Sequence, residues 1–121
     1  MTKNMTELLQ EINTIFYFCK QPYDKDPEIL LDRITILVTY LARSAEIYAD
    51  VQFEYDKKLG DEAEKLSVSY SPMKAKDILK GKVAVEARIL MLSQRLNATI
   101  THQLDAIRSQ LSFIKADIFN N

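Results

Sequence analysis

From Lys82 to the last residue the chain contains neither glycine nor proline, and along it Ile89, Leu92, Leu96, Ile100, Leu104, Ile107, Leu111, Ile114 and Ile118 recur at steps of three and four. Turned by about 100° per residue, these side chains fall in one narrow sector, which a strand with its period of two cannot produce. The pattern predicts a single long helix with an unbroken apolar edge. Such an edge is stable in water only against a partner of similar length.

The chain supplies one. Leu30, Ile34, Leu37, Leu41, Ser44, Tyr48, Val51 and Tyr55 step alternately by four and three, the spacing of a helix packed along its neighbour. Ile34, Val38, Ala45 and Leu59 widen this stripe, while Asp32, Asp50 and Glu54 lie opposite. Asp26, Pro27 and Glu28 mark its start: a capping carboxylate, a proline where the missing N–H costs nothing, and an acid in the first turn. Its end falls near Gly60 or beyond, since one glycine in a helix costs only about 1 kcal/mol.

A shorter helix precedes this pair. It is expected to begin after Thr6, with Glu7 in its first turn, and to carry Leu8, Leu9, Ile12, Ile15, Phe16 and Cys19 on one stripe before the break at Gln21–Lys25. Ser67–Ser71 reads as a connection, and Ser71 before Pro72 repeats the cap-then-proline signal for a helix through Lys80 that Gly81 bends or ends.

At about 1.5 Å per residue the two long helices each span roughly 50 Å, and the short polar connection predicts that they lie antiparallel. The expected fold is all-α: one domain over residues 1–121, a long antiparallel αα-hairpin with a shorter N-terminal helix. That first helix, roughly 22 Å long, covers less than half of the hairpin. The rest of the apolar edge predicts a homo-oligomer whose assembly completes a helical bundle, in the manner of a coiled coil.

Charge is unevenly divided. Residues 1–66 hold eight Lys/Arg against thirteen Asp/Glu, and residues 67–121 eight against four, so the halves carry −5 and +4 and attract each other. No run of about 18 apolar residues occurs and the start, Met1 to Thr6, has no apolar signal-peptide centre, which predicts a cytoplasmic protein without a membrane span. Cys19 has no second cysteine to pair with and reads as a small apolar filler.

Few chemistry-bearing constellations remain. Arg88, Arg95 and His102 recur every seven residues and align on one flank of the last helix, where they could hold phosphate groups or pair with carboxylates of the acidic half. Lys74, Lys76, Lys80 and Lys82, opposed locally only by Asp77, form a small anion-attracting patch near the turn. Four lysines release too few counterions for firm DNA binding, and no helix-turn-helix spacing, zinc finger or aromatic stacking platform accompanies them.

Gln103 and Gln110 sit one heptad apart on the apolar face, either as a polar layer that sets register or as part of a polar pocket with His102 and tyrosines of the second helix, Tyr48 among them. Tyr40, Tyr48 and Tyr55 otherwise read as core or interface residues. Glu46, Asp50 and Glu54 are spaced for a divalent cation but occupy the solvent side. One histidine and one cysteine, with no Gly-rich phosphate loop and no nucleophile elbow, argue against an enzyme, and no cofactor is implied.

The segment from Arg95 through Leu96, Asn97, Ala98, Thr99, Ile100, Thr101, His102, Gln103 and Leu104 to Lys115 resembles the last helix of small uncharacterised helical proteins of tailed bacteriophages. The similarity extends over Ala42–Lys57 and Ser71–Lys82. The resemblance carries no catalytic or ligand residues. It implies a context: a phage or prophage product that binds a host protein, another host component or a small anionic nucleotide of bacterial immunity, in host takeover or anti-defence. Two other expectations compete with it, an accessory to phage replication or recombination that uses the lysine patch on nucleic acid, and a structural assembly protein.

Overall fold

The computed structural model describes residues 3–66 and 70–120, so the part of the expected connection at 67–69 lies outside the described residues. The described residues fold into four helices, α1 (Met5–Lys20), α2 (Pro27–Glu64), α3 (Pro72–Lys82) and α4 (Ala84–Asn120), with no strand among them. At 1.5 Å per residue the 38 residues of α2 and 37 of α4 extend about 57 and 55 Å.

Local chemistry explains each start. Asp26 accepts the amide N–H of Glu28 ahead of Pro27, and Ser71 accepts that of Lys74 ahead of Pro72, as the cap-then-proline pairs predict. α1 differs from expectation: its cap is Asn4, not Thr6. The Asn4 side chain accepts the Glu7 amide while the Glu7 carboxylate accepts the Asn4 amide, so two otherwise orphaned donors are satisfied together. α2 continues through Gly60, where a side chain would meet nothing within 4 Å, so the glycine answers no steric need and the helix absorbs its small cost. Gly81 likewise sits inside α3, and the chain turns at Val83 instead.

The core is a shared strip. Leu8, Ile12 and Ile15 of α1 meet Leu30, Leu37, Ile47 and Val51 of α2 and Leu96, Ile100, Leu104 and Ile107 of α4, all essentially without solvent exposure. Contacts pair rising positions in α2 with falling positions in α4: Arg33 meets Gln103, Ser44 meets Asn97, and Tyr55 and Leu59 share a cavity with Val83 and Ala87. Where Ser44 and Ser93 lie, both fully buried, each hydroxyl turns back onto its own helix, donating to the carbonyls of Leu41 and Leu90.

The buried stripe of α2 is rotated from the one the apolar spacing suggests. Arg33 and Ile47 are buried, whereas Val38 and Ala45 are exposed and Ile34 and Leu41 only half-buried. The reason is the position of α1. It packs along one side of the α2–α4 pair and pulls the buried sector toward itself. The apolar flank on the other side is left with solvent.

Candidate functional site

The covered side centres on Arg33, 8% exposed, with no carboxylate within ion-pair distance among the described residues. Its Nε donates to Gln103 Oε1 at 3.0 Å, and its Nη2 donates to the carbonyls of Phe18 at 2.8 Å and Gln21 at 3.1 Å. The guanidinium carbon lies 4.1 Å from the Phe18 ring centroid and 4.5 Å from that of Tyr23. Phe18 in turn meets Tyr40 edge-on at 5.3 Å. The carbonyls at the end of α1 are the negative pole of that helix, so a helix terminus and two aromatic faces stabilise the buried cation in place of an acid. Gln103 completes the arrangement by donating Nε2 to the Cys19 carbonyl at 2.9 Å. Burial pushes the Cys19 thiol up, against a smaller opposing pull from Arg33.

A second tie joins α1 to α2. Glu11 accepts from Arg43 through both carboxylate oxygens, the Nη2–Oε2 bond being 2.8 Å, and Lys3 adds a third contact at 2.9 Å. The Arg43 guanidinium beside Glu11, helped by Lys3, holds its carboxyl down at about 2 despite partial burial. Arg43 also reaches Glu46 at 3.2 Å.

On the opposite side α2 and α4 form an open face. Ala45, Tyr48, Ser93, Gln94 and Asn97 line a depression of about 330 Å³ between the helices. Tyr48 in this depression is 37% exposed, and Leu31 and Val38, nearer the start of α2, are 55% and 47% exposed. Asn97 Nδ2 donates to Ser44 Oγ at 3.1 Å across the floor. Tyr48 donates to Gln52, and Gln52 to Asp56, along the surface of α2. The polar groups here have capacity to spare, because an amide carries two donors and two acceptor sites and Asn97 uses one donor.

The residues singled out by spacing do not share one surface. Arg88, Arg95 and His102 are exposed along one flank of α4, and Arg88 borders a depression with Leu9, Asn13 and Leu92 of the α1 side. Among the described residues no carboxylate comes within ion-pair distance of Arg88 or Arg95, so pairing with the acidic half is not seen there. Gln103 turns inward to Arg33 and Cys19, and Tyr48 faces the open side. Gln110 keeps a buried Oε1 without a partner, beside Lys25, Phe113 and Ile114.

Lys74, Lys76, Lys80 and Lys82 are all exposed on α3. Lys74 lies over the Tyr70 ring at 5.5 Å, and Lys76 and Lys80 edge a cavity of about 440 Å³ floored by Leu59, Leu79 and Val83. Glu46, Asp50 and Glu54 do not gather: among the described residues no group of acids, histidine or cysteine is placed to hold a metal ion. No described helix is long and apolar enough to cross a membrane.

Sequence reasoning missed Arg33, although the signal was present: an arginine inside an otherwise apolar sector has to find donors' partners, and the unsatisfied carbonyls at the end of a neighbouring helix are such partners. Compared with protein-family models, curated proteins and solved structures, the chain gives no match.

Proposed function

We propose that this chain acts by binding rather than catalysis, as a long antiparallel αα-hairpin braced on one side by α1 and completed on the other by self-association. The observation that carries the reading is the exposure of Leu31, Val38 and Tyr48 beside a core that α1 seals on the far side. Contiguous apolar surface of that length marks an interaction site. Light scattering at micromolar concentration tests it: a mass above the 14.0 kDa of one chain is expected, and a single-chain mass contradicts it.

The context we propose is the cytoplasm of a phage-infected bacterium, where the protein binds a host component or signalling molecule to the benefit of infection. The resemblance of Arg95–Lys115 to phage helical proteins supports that context, and the exposed row of Arg88, Arg95 and His102 supports an anionic nucleotide as the ligand. Calorimetry with a panel of cyclic nucleotides tests the ligand, with heat lost in Arg95→Ala; no heat from any of them contradicts it. The exposed lysines of α3 favour a second reading, a nucleic-acid accessory. Retention of DNA or RNA on a filter, falling steeply with salt, is its signature.

A further inference from the structure

We infer that the groove between α1 and the neighbouring flank of α4 seats a nucleotide, with its base against Tyr17 and its phosphates held by Lys20 and Arg88. The inference rests on the nucleotide reading proposed above and gives that ligand a place that includes α1. It is carried by the way two depressions join, by where the acids lie, and by where an exposed ring stands.

Leu9, Asn13, Val85, Arg88, Ile89 and Leu92 line one depression of about 330 Å³, and Asn13, Phe16, Tyr17, Lys20 and Leu92 line another of about 470 Å³. Asn13 and Leu92 belong to both, so the two form one groove. From Leu9 to Lys20 it runs about 16 Å along α1. Each part falls within the roughly 300–1,000 Å³ of small-molecule sites.

The charge of this groove has one sign. With Leu8, Ile12, Ile15 and Cys19 turned into the core, steps of about 100° put Leu9, Phe16 and Lys20 on the flank of α1 toward α4, and Glu7 and Glu11 on the flank toward α2. Glu11 is held there by Arg43, and Glu7 is engaged in the cap. On α4 the same turning puts Arg88 and Arg95 on the flank toward α1, while Glu86 falls on the side toward α2. Among the described residues no carboxylate lies within ion-pair distance of Lys20, Arg88 or Arg95. Three cations thus flank the groove and attract an anion of two or more charges.

The ring chooses among anions. Tyr17 is 68% exposed, with Phe16 half-buried beside it, and an exposed aromatic ring is a stacking surface for a base. Asn13 precedes Tyr17 by four residues and Lys20 follows it by three, so both are its neighbours on the helix surface. Phosphate oxygens suit the Lys20 ammonium and the Arg88 fork, and the Asn13 amide offers a donor and an acceptor to a base edge. The depressions at Tyr48, Gln110 and Lys76 lack this combination. The first has an uncharged lining and the second a single lysine, while the third is aliphatic apart from Tyr55 and borders a stretch of α2 that carries Asp56, Asp61 and Glu62.

Calorimetry on the full chain tests the seat, with cyclic AMP, cyclic di-AMP and cyclic di-GMP as probes and with tripolyphosphate and adenosine as the two halves alone. The tightest nucleotide is expected to bind at least about tenfold better than either half. Tyr17→Ala, Lys20→Ala and Arg88→Ala, all at exposed positions, are expected to keep their helical content by circular dichroism and to weaken that nucleotide at least about tenfold each. Lys57→Ala and Lys115→Ala, which remove the same charge elsewhere, are expected to leave it unchanged. Binding that survives in all three groove variants would overturn this seat while the nucleotide reading stands. Tripolyphosphate bound as tightly as the best nucleotide would overturn the stacked base. No heat from any nucleotide would remove both the seat and the reading behind it.

Discussion

The two sides of the α2–α4 pair are built from the same apolar periodicity and end in opposite conditions. On one side α1 brings Leu8, Ile12 and Ile15 to essentially zero exposure, and two charged groups drawn in with them are answered: Arg33 by carbonyls and Gln103, Glu11 by Arg43 and Lys3. On the other side Val38 stays 47% exposed and Asn97 has donors and acceptors unspent. An amphipathic stripe therefore does not define a core by itself. The third helix decides which edge of the stripe is sealed, and the polar residues that become buried are those its end can satisfy.

That contrast can be broken from the covered side. Ile12→Ala removes a fully buried side chain from the α1 seam and is expected to cost about 2–5 kcal/mol in urea unfolding, whereas Val38→Ala, tested on a monomeric background, is expected to cost less than about 1 kcal/mol. Equal costs would mean the two sides are packed alike. Arg33→Met keeps much of the volume but leaves the Phe18 and Gln21 carbonyls and Gln103 without their donor; a loss of about 2–4 kcal/mol is expected, measured the same way.

The Glu11 tie offers a sharper, pH-resolved test. Its folded pKa of about 2 lies below the ordinary 4.5, so its contribution is fully present above pH 4.5 and is lost as pH falls from there toward 2. In Glu11→Gln that part of the stability–pH curve is expected to flatten, with a loss of about 1–2 kcal/mol at pH 7 once solvent screening of the partly exposed pair is allowed for. Asn4→Ala, which removes one cap of α1, is expected to cost about 1 kcal/mol. The smallest effect concerns Cys19: burial and its raised pKa predict alkylation by iodoacetamide far slower in the native protein than in urea.

Much of the fold is readable from particular residues. Asp26–Pro27 and Ser71–Pro72 announce two helix starts because cap and proline chemistry are local, and the unbroken run from Ile89 to Ile107 announces α4 because nothing in it competes with a helix. The start of α1 was less legible, since Asn4 and Thr6 both offer a capping oxygen and only the reciprocal Glu7 bond selects Asn4. Arg33 and Gln103 were least legible. Spacing places Gln103 on the apolar face and leaves Arg33 unremarked, because their partners are carbonyls of another helix and backbone groups carry no letter in the sequence. The open face was half legible: its apolar residues are plain in the α2 stripe, but which of them α1 leaves uncovered depends on how three helices pack.

α1 closes one face of the α2–α4 pair, and the proposal that self-association closes the other is open to direct measurement. Small-angle X-ray scattering of the unaltered chain measures mass and longest dimension together. Face-to-face docking predicts twice the 14.0 kDa of one chain in a particle only about 60 Å long, because stacking thickens the pair of helices without lengthening it. A particle of one chain's mass, or one of double mass and about twice that length, would contradict it.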